Sequence, residues 1–159
     1  MNIFYLDDCP VEAAKMHCDK HVVKMVLETA QLLSTAHRLN GNDDDRLYKP
    51  THKNHPSAVW ARESKANYMW LYDLFISLCD EYTYRYSKTH LTDTKLRHVL
   101  RHVPDLEEAE FTEPPQCMPD DYKSSNTVEA YQQYYLNDKT RMLRWTNRSK
   151  PKWVEEYQT

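Results

Sequence analysis

Glycine is almost missing from this sequence: Gly41 is the only one in 159 residues. A Rossmann turn and a P-loop each need several glycines, because only backbone without a Cβ approaches phosphate closely enough. ATPases, kinases and dinucleotide oxidoreductases of those designs are therefore excluded. Tight hairpins also depend on glycine, so its scarcity favours helices over β-structure. Long apolar runs are absent too: none approaches the roughly 20 residues that a membrane span requires. The opening Met1-Asn2-Ile3-Phe4-Tyr5 lacks the basic-then-apolar pattern of a secretory signal. The four cysteines, Cys9, Cys18, Cys79 and Cys117, form no C-x-x-C pair. Scattered in this way, they are expected to be free thiols in a reducing, cytoplasmic compartment. A basic excess is lacking as well. The formal charge is −3, which argues against a general duplex-DNA binder, whose affinity comes largely from phosphate neutralisation. A local basic patch remains open.

What is present is a chain rich in aromatics, with 12 Tyr and 4 Trp. They serve either as core or as stacking surfaces for bases. With 40% hydrophobic and 28% charged residues, residues 1–159 read as one globular domain large enough to bury a core. No internal repeat or linker divides it.

The patterning predicts an all-α fold: two long central helices with irregular, proline-rich connections. Residues 1–7 read as an extended opening. Asp8-Cys9-Pro10 reads as a capped start for a short helix over Val11–Cys18. Asp19 is the expected cap of a second helix over about His21–Arg38, where Val22, Val26, Ala30 and Leu33 recur at helical spacing. A helical pattern covers Ser57 to about Tyr86, with a break expected near Arg62–Lys65. A shorter helix is expected over Thr92–His102. Pro104, Pro114, Pro115 and Pro119 make the next stretch irregular. Asn126 or Thr127 caps a last helix running to about Trp145, and Pro151-Lys152-Trp153 closes the ordered part.

Three constellations carry chemistry. On the second helix, His21, Lys24, Glu28, Gln31 and Thr35 fall on one side by steps of three and four. They offer a proton donor or acceptor, a cation and a general base; the plainer reading is a solvated face with Lys24 and Glu28 paired. The second is Thr51-His52-Lys53-Asn54-His55-Pro56, continuing to Trp60 and Arg62. It gathers cations and an indole at a helix start, which suits phosphate, or it is a polar loop anchored by Trp60. The third lies in the proline-rich stretch, where rigid backbone could hold Gln116, Tyr122 and Lys123 over a pocket, or simply cross the surface. Histidine pairs at His17/His21, His52/His55 and His98/His102 have zinc-compatible spacing, but no H-E-x-x-H or cysteine partner joins them. Neither a metal nor a cofactor is expected.

Asp19-Lys20-His21 followed by Glu28 resembles the active-site helix of the phage-type pyrimidine-dimer DNA glycosylase/AP lyase (endonuclease V-like) family. That family carries Asp-x-His and then its catalytic Glu at the same interval. His55-Pro56…Trp60, the helix through Cys79-Asp80-Glu81-Tyr82…Arg85-Tyr86, and Pro119…Tyr122…Arg141…Pro151-Lys152-Trp153 are also similar. The resemblance implies an all-α domain whose N-terminal amine attacks C1′ of a damaged nucleotide, forming a Schiff base that resolves by β-elimination. It implies Glu28 as acid/base and His21 near substrate phosphate, with Met1 and Asn2 at the nucleophile. It also implies a phage-encoded protein acting in the cytoplasm of the infected bacterium. Candidate ligand contacts are then Asp19, Lys24, Gln31, His52, His55, Trp60, Arg62, Gln116, Tyr122 and Lys123.

Three positions depart from the family. Asn2 is larger than the residues that normally permit removal of Met1, and Leu27 and Gln31 stand where the family has arginines. The charge is −3 rather than basic. The sequence therefore supports two functions. One is a DNA glycosylase/AP lyase. The other is a lyase-free pocket that sequesters or cleaves a small nucleotide, such as a cyclic or ADP-ribose-type defence signal.

Overall fold

The computed structural model describes residues 1–158, and its regular structure is helical. Seven α-helices appear among the described residues: α1 (Pro10–Met16), α2 (Asp19–Leu39), α3 (Pro56–Ala61), α4 (Lys65–Tyr86), α5 (Leu91–Leu96), α6 (Thr127–Asp138) and α7 (Lys152–Gln158). The expected architecture holds: α2 and α4 are the two long helices, and they pack on each other at the centre. No helix among the described residues is long and apolar enough to cross a membrane.

Helix ends explain most departures from the sequence reading. Neither expected carboxylate cap is used. Cys9 and Cys18 are the N-cap residues of α1 and α2, without side-chain caps. Asp7, not Asp8, reaches the start of α1 by accepting the Cys9 N–H. The expected break between α3 and α4 falls at residues 62–64, and Ser64 caps α4 by accepting the Asn67 N–H. The helix expected over Thr92–His102 ends at Leu96 and continues as turns. Asn126 is the cap of α6, which stops at Asp138 rather than near Trp145. The C-terminal segment does not lose order at Trp153, because Lys152–Gln158 forms α7 and buries Val154.

The N-terminal segment inserts into the core instead of lying over it. Ile3, Phe4, Tyr5 and Leu6 are all buried, beside α2 and α6. Within this segment the Phe4 ring stacks on His21 of α2, and Met1 packs partly buried against the core. All four cysteines are free, with Cys18 and Cys79 buried.

Candidate active site

Position along α2 decides what each member of its polar stripe does. His21 is buried, with only 2% of its surface exposed. Its Nδ1 lies 2.6 Å from the Tyr135 hydroxyl, whose oxygen accepts the Cys18 N–H. Tyr135 keeps its proton because burial pushes its pKa far up, so the hydroxyl donates to a neutral imidazole. Burial, followed by the charges of His17, Lys139 and Lys24, lowers the His21 pKa to about 3. The ring is neutral and covered, so it does not stand at a surface where phosphate would bind.

Asp19 turns the other way. Its carboxylate accepts from the Thr146 amide and hydroxyl and pairs with Arg85 at 3.0 Å. Burial raises its pKa, but these bonds outweigh burial and hold it below the usual carboxylate value. Asp19 is a clamp between helices rather than a ligand contact.

Further along α2, Lys24 is exposed and lies 3.5 Å from the Glu28 carboxylate, which is itself only 16% exposed. Gln31 is half-buried and Thr35 fully buried. The Thr35 hydroxyl oxygen accepts the Thr51 N–H at 3.2 Å, tying the 51–55 loop to α2. The stripe is therefore buried at both ends and open only around Lys24 and Glu28, not a uniformly solvated face.

His55 follows four residues after that tether. His55 caps α3, its Nδ1 accepting the Ser57 N–H at 3.1 Å, so the neutral ring carries its proton on Nε2. Its pKa is lowered by burial, then by the N-terminal ammonium, then by His52. The chain terminus is thus within electrostatic reach of His55. His52 is exposed in a left-handed conformation, φ 48°.

The reach of the terminus follows from two lengths. The Phe4 ring stacks on His21 with centroids 4.2 Å apart and planes at 18°. From Phe4 back to Met1 is three residues, about 10 Å of extended chain. From His21 to Glu28 is seven residues, about 10 Å of helical rise. The two spans are equal, so a terminus running beside α2 from Phe4 toward the C-terminal half of that helix would reach the level of Glu28.

Other candidates are placed less directly. Trp60 is 4% exposed and donates its indole N–H to the Thr112 carbonyl. It is committed to packing against Trp70 and Phe111, so it offers no face for a base. Arg62 is half-buried at the end of α3, and its Nη1 has no partner among the described residues. The Gln116 amide both donates to the Ser124 carbonyl and accepts the Ser124 N–H, which fixes its loop. That loop and α6 enclose a cleft of about 580 Å³ lined by Tyr122, Lys123, Glu129, Gln132 and Gln133. Tyr122 leans on Tyr134, which in turn stacks toward Phe4. Among the described residues, no group of three or more His, Cys, Asp and Glu side chains converges on a point.

The sequence profile of the pyrimidine dimer DNA glycosylase family matches residues 1–94. The chain belongs to that family. The matched part contains the N-terminal segment, α1–α4, and hence Met1, His21, Glu28 and His55, but not Gln116, Tyr122 or Lys123. No curated protein and no solved structure gives a match to the chain. Family membership supports action on DNA through glycosylase-type chemistry.

Several residues that build this site were missed in the sequence. Phe4, Tyr134, Tyr135 and Lys139 were not singled out there. Glu81 and Arg85 carry part of the family resemblance but not as an ion pair, for which their i, i+4 spacing on α4 was an available signal. The partners of Phe4 on α6 are remote in sequence and carry no local signal.

Proposed function

We propose that this protein is a DNA N-glycosylase with AP lyase activity, using the Met1 amine as nucleophile and Glu28 as its proton-transfer group. What supports the reading is the stack of Phe4 on His21, which starts the N-terminal segment two turns before Glu28 with enough chain to reach it. The neutral amine attacks C1′, the base departs with a proton, and the opened sugar is held as a Schiff base. Removal of a C2′ proton by a carboxylate then expels the 3′ phosphate. Water hydrolyses the imine and returns the amine. Glu28 suits these transfers because it is shielded yet not sealed from solvent.

Lys24, Gln31, His52, His55 and Arg62 are proposed to contact the strand around the reacting sugar. Tyr122, Lys123 and Gln116 are proposed to form a flanking surface at the cleft beside α6. DNA is favoured over a free nucleotide because the family match covers the helices that present Met1 and Glu28.

Borohydride trapping on abasic-site and ultraviolet-irradiated duplexes tests this reading. The expected result is a covalent adduct whose DNA-linked peptide begins at Met1, and strand scission without borohydride. Glu28→Gln is expected to lower scission about 100-fold or more, within the range of general acid–base contributions. An adduct mapped to a lysine, or none at all, would overturn the assignment.

A further inference from the structure

We propose that His21 is a positioning residue for the terminal amine, acting through Phe4, rather than a contact to substrate phosphate. The inference rests on the proposed role of the Met1 amine. Among the described residues, Met1, Asn2 and Ile3 take part in no hydrogen bond. What locates the chain end is side-chain burial, and Phe4 is the ring nearest the terminus, 2% exposed. His21 supports one flat face at 4.2 Å, and Tyr134 lies roughly parallel at 6.5 Å. His17, Tyr131 and Tyr135 meet the ring at steep angles at 5.9, 6.0 and 5.4 Å.

His21 is itself immobilised. Its Nδ1 bond to Tyr135 ties it to α6, and the Tyr135 oxygen also holds the Cys18 N–H at the start of α2. A fixed chain of contacts therefore runs from α6 through Tyr135 and His21 to Phe4, three residues from the amine. Removing the imidazole leaves a slot into which Phe4 can sink, moving the amine relative to Glu28. Displacements of about 1 Å are enough to cost some 100-fold in a reaction that depends on near-attack geometry. With 2% exposure, His21 offers no surface on which phosphate could compete for this role.

The test uses the full chain and a duplex with one abasic site, recording both the saturating rate of borohydride-trapped adduct and the DNA concentration at half-saturation. His21→Ala is expected to slow the saturating rate by about 10- to 100-fold while half-saturation stays within about twofold. His21→Phe restores a flat ring beneath Phe4, loses the Tyr135 bond and cannot bind phosphate, and it should recover part of the rate. Phe4→Leu, which keeps bulk and loses the stack, makes the same comparison if His21→Ala does not fold. Weaker binding with a shallower salt dependence, unrescued by His21→Phe, would identify a phosphate contact and overturn the proposal; so would an unchanged rate. Hydrogen exchange of the Leu6 amide, which donates to the Phe4 carbonyl at 3.0 Å, reads the anchor without DNA. Faster exchange in His21→Ala, restored in His21→Phe, supports the anchor; unchanged protection overturns it. Absence of any wild-type adduct would instead remove the lyase reading, leaving the exchange result to decide on the anchor.

Discussion

Two neighbouring histidines show how burial sets chemistry at the scale of single residues. Burial is the main cause that lowers His17 to about 4 and His21 to about 3. The His17 Nδ1–H donates to the Ala13 carbonyl at 2.7 Å, and its Nε2 is buried without a partner, as suits a neutral ring. In the unfolded chain both rings take up protons near pH 6.5. The folded state refuses them until pH 3–4. The two rings therefore leave stability intact above about pH 6.5, and stability falls as pH drops from there toward the folded values, where their contribution levels off. Urea midpoints measured from pH 7.5 down to pH 4 are expected to fall, and His21→Phe should make that fall less steep. A slope unaltered by His21→Phe would mean that His21 is already charged in the folded protein. By contrast, the Lys24–Glu28 pair, with Lys24 in solvent, adds little stability.

Helices are held together here by a buried ionic junction as well as by apolar packing. Arg85 on α4 has a fully buried side chain. It donates to Glu81 on its own helix, to Asp19 at the start of α2, and to the Lys15 carbonyl at the end of α1. Arg148 forms two further bonds to Glu81, and Asn147 bonds the Arg85 carbonyl. The junction orients α1, α2 and α4, and thereby the face that presents Glu28. Arg85→Met would leave Asp19 and Glu81 short of a cation and is expected to cost about 3–5 kcal/mol, the usual cost of breaking a buried pair from one side. A thermal or denaturant melt measures this. A loss below about 1 kcal/mol would show that the junction orients the helices without stabilising them.

At the scale of the whole molecule, the family match and the folding unit do not coincide. The match ends at residue 94, yet the ring of Phe4 is enclosed by Tyr131, Tyr134 and Tyr135 from α6. Trp145 donates to the Met16 carbonyl at the end of α1, and the Arg144 carbonyl accepts the Asp19 N–H. A chain ending at residue 94 is therefore expected to show no cooperative melting transition and no protection of the Leu6 amide. A sharp transition in that fragment would show that residues 1–94 fold alone and that α6 is an addition.

The sequence by itself determined the elements. Scarce glycine, helical spacing on α2 and α4, and prolines at 104–119 specify an all-α chain, because these are local properties of backbone and side-chain period. The same spacing grouped His21, Lys24, Glu28 and Gln31 on one side of a helix, and the family resemblance singled out Glu28. Only the tertiary structure decided what each of those side chains faces. Spacing fixes an angle around the helix axis, but it cannot say which distant segment covers that angle at each turn. The N-terminal segment and α6 cover His21, the residues around Thr146 cover Asp19, and Glu28 is left at the edge of solvent.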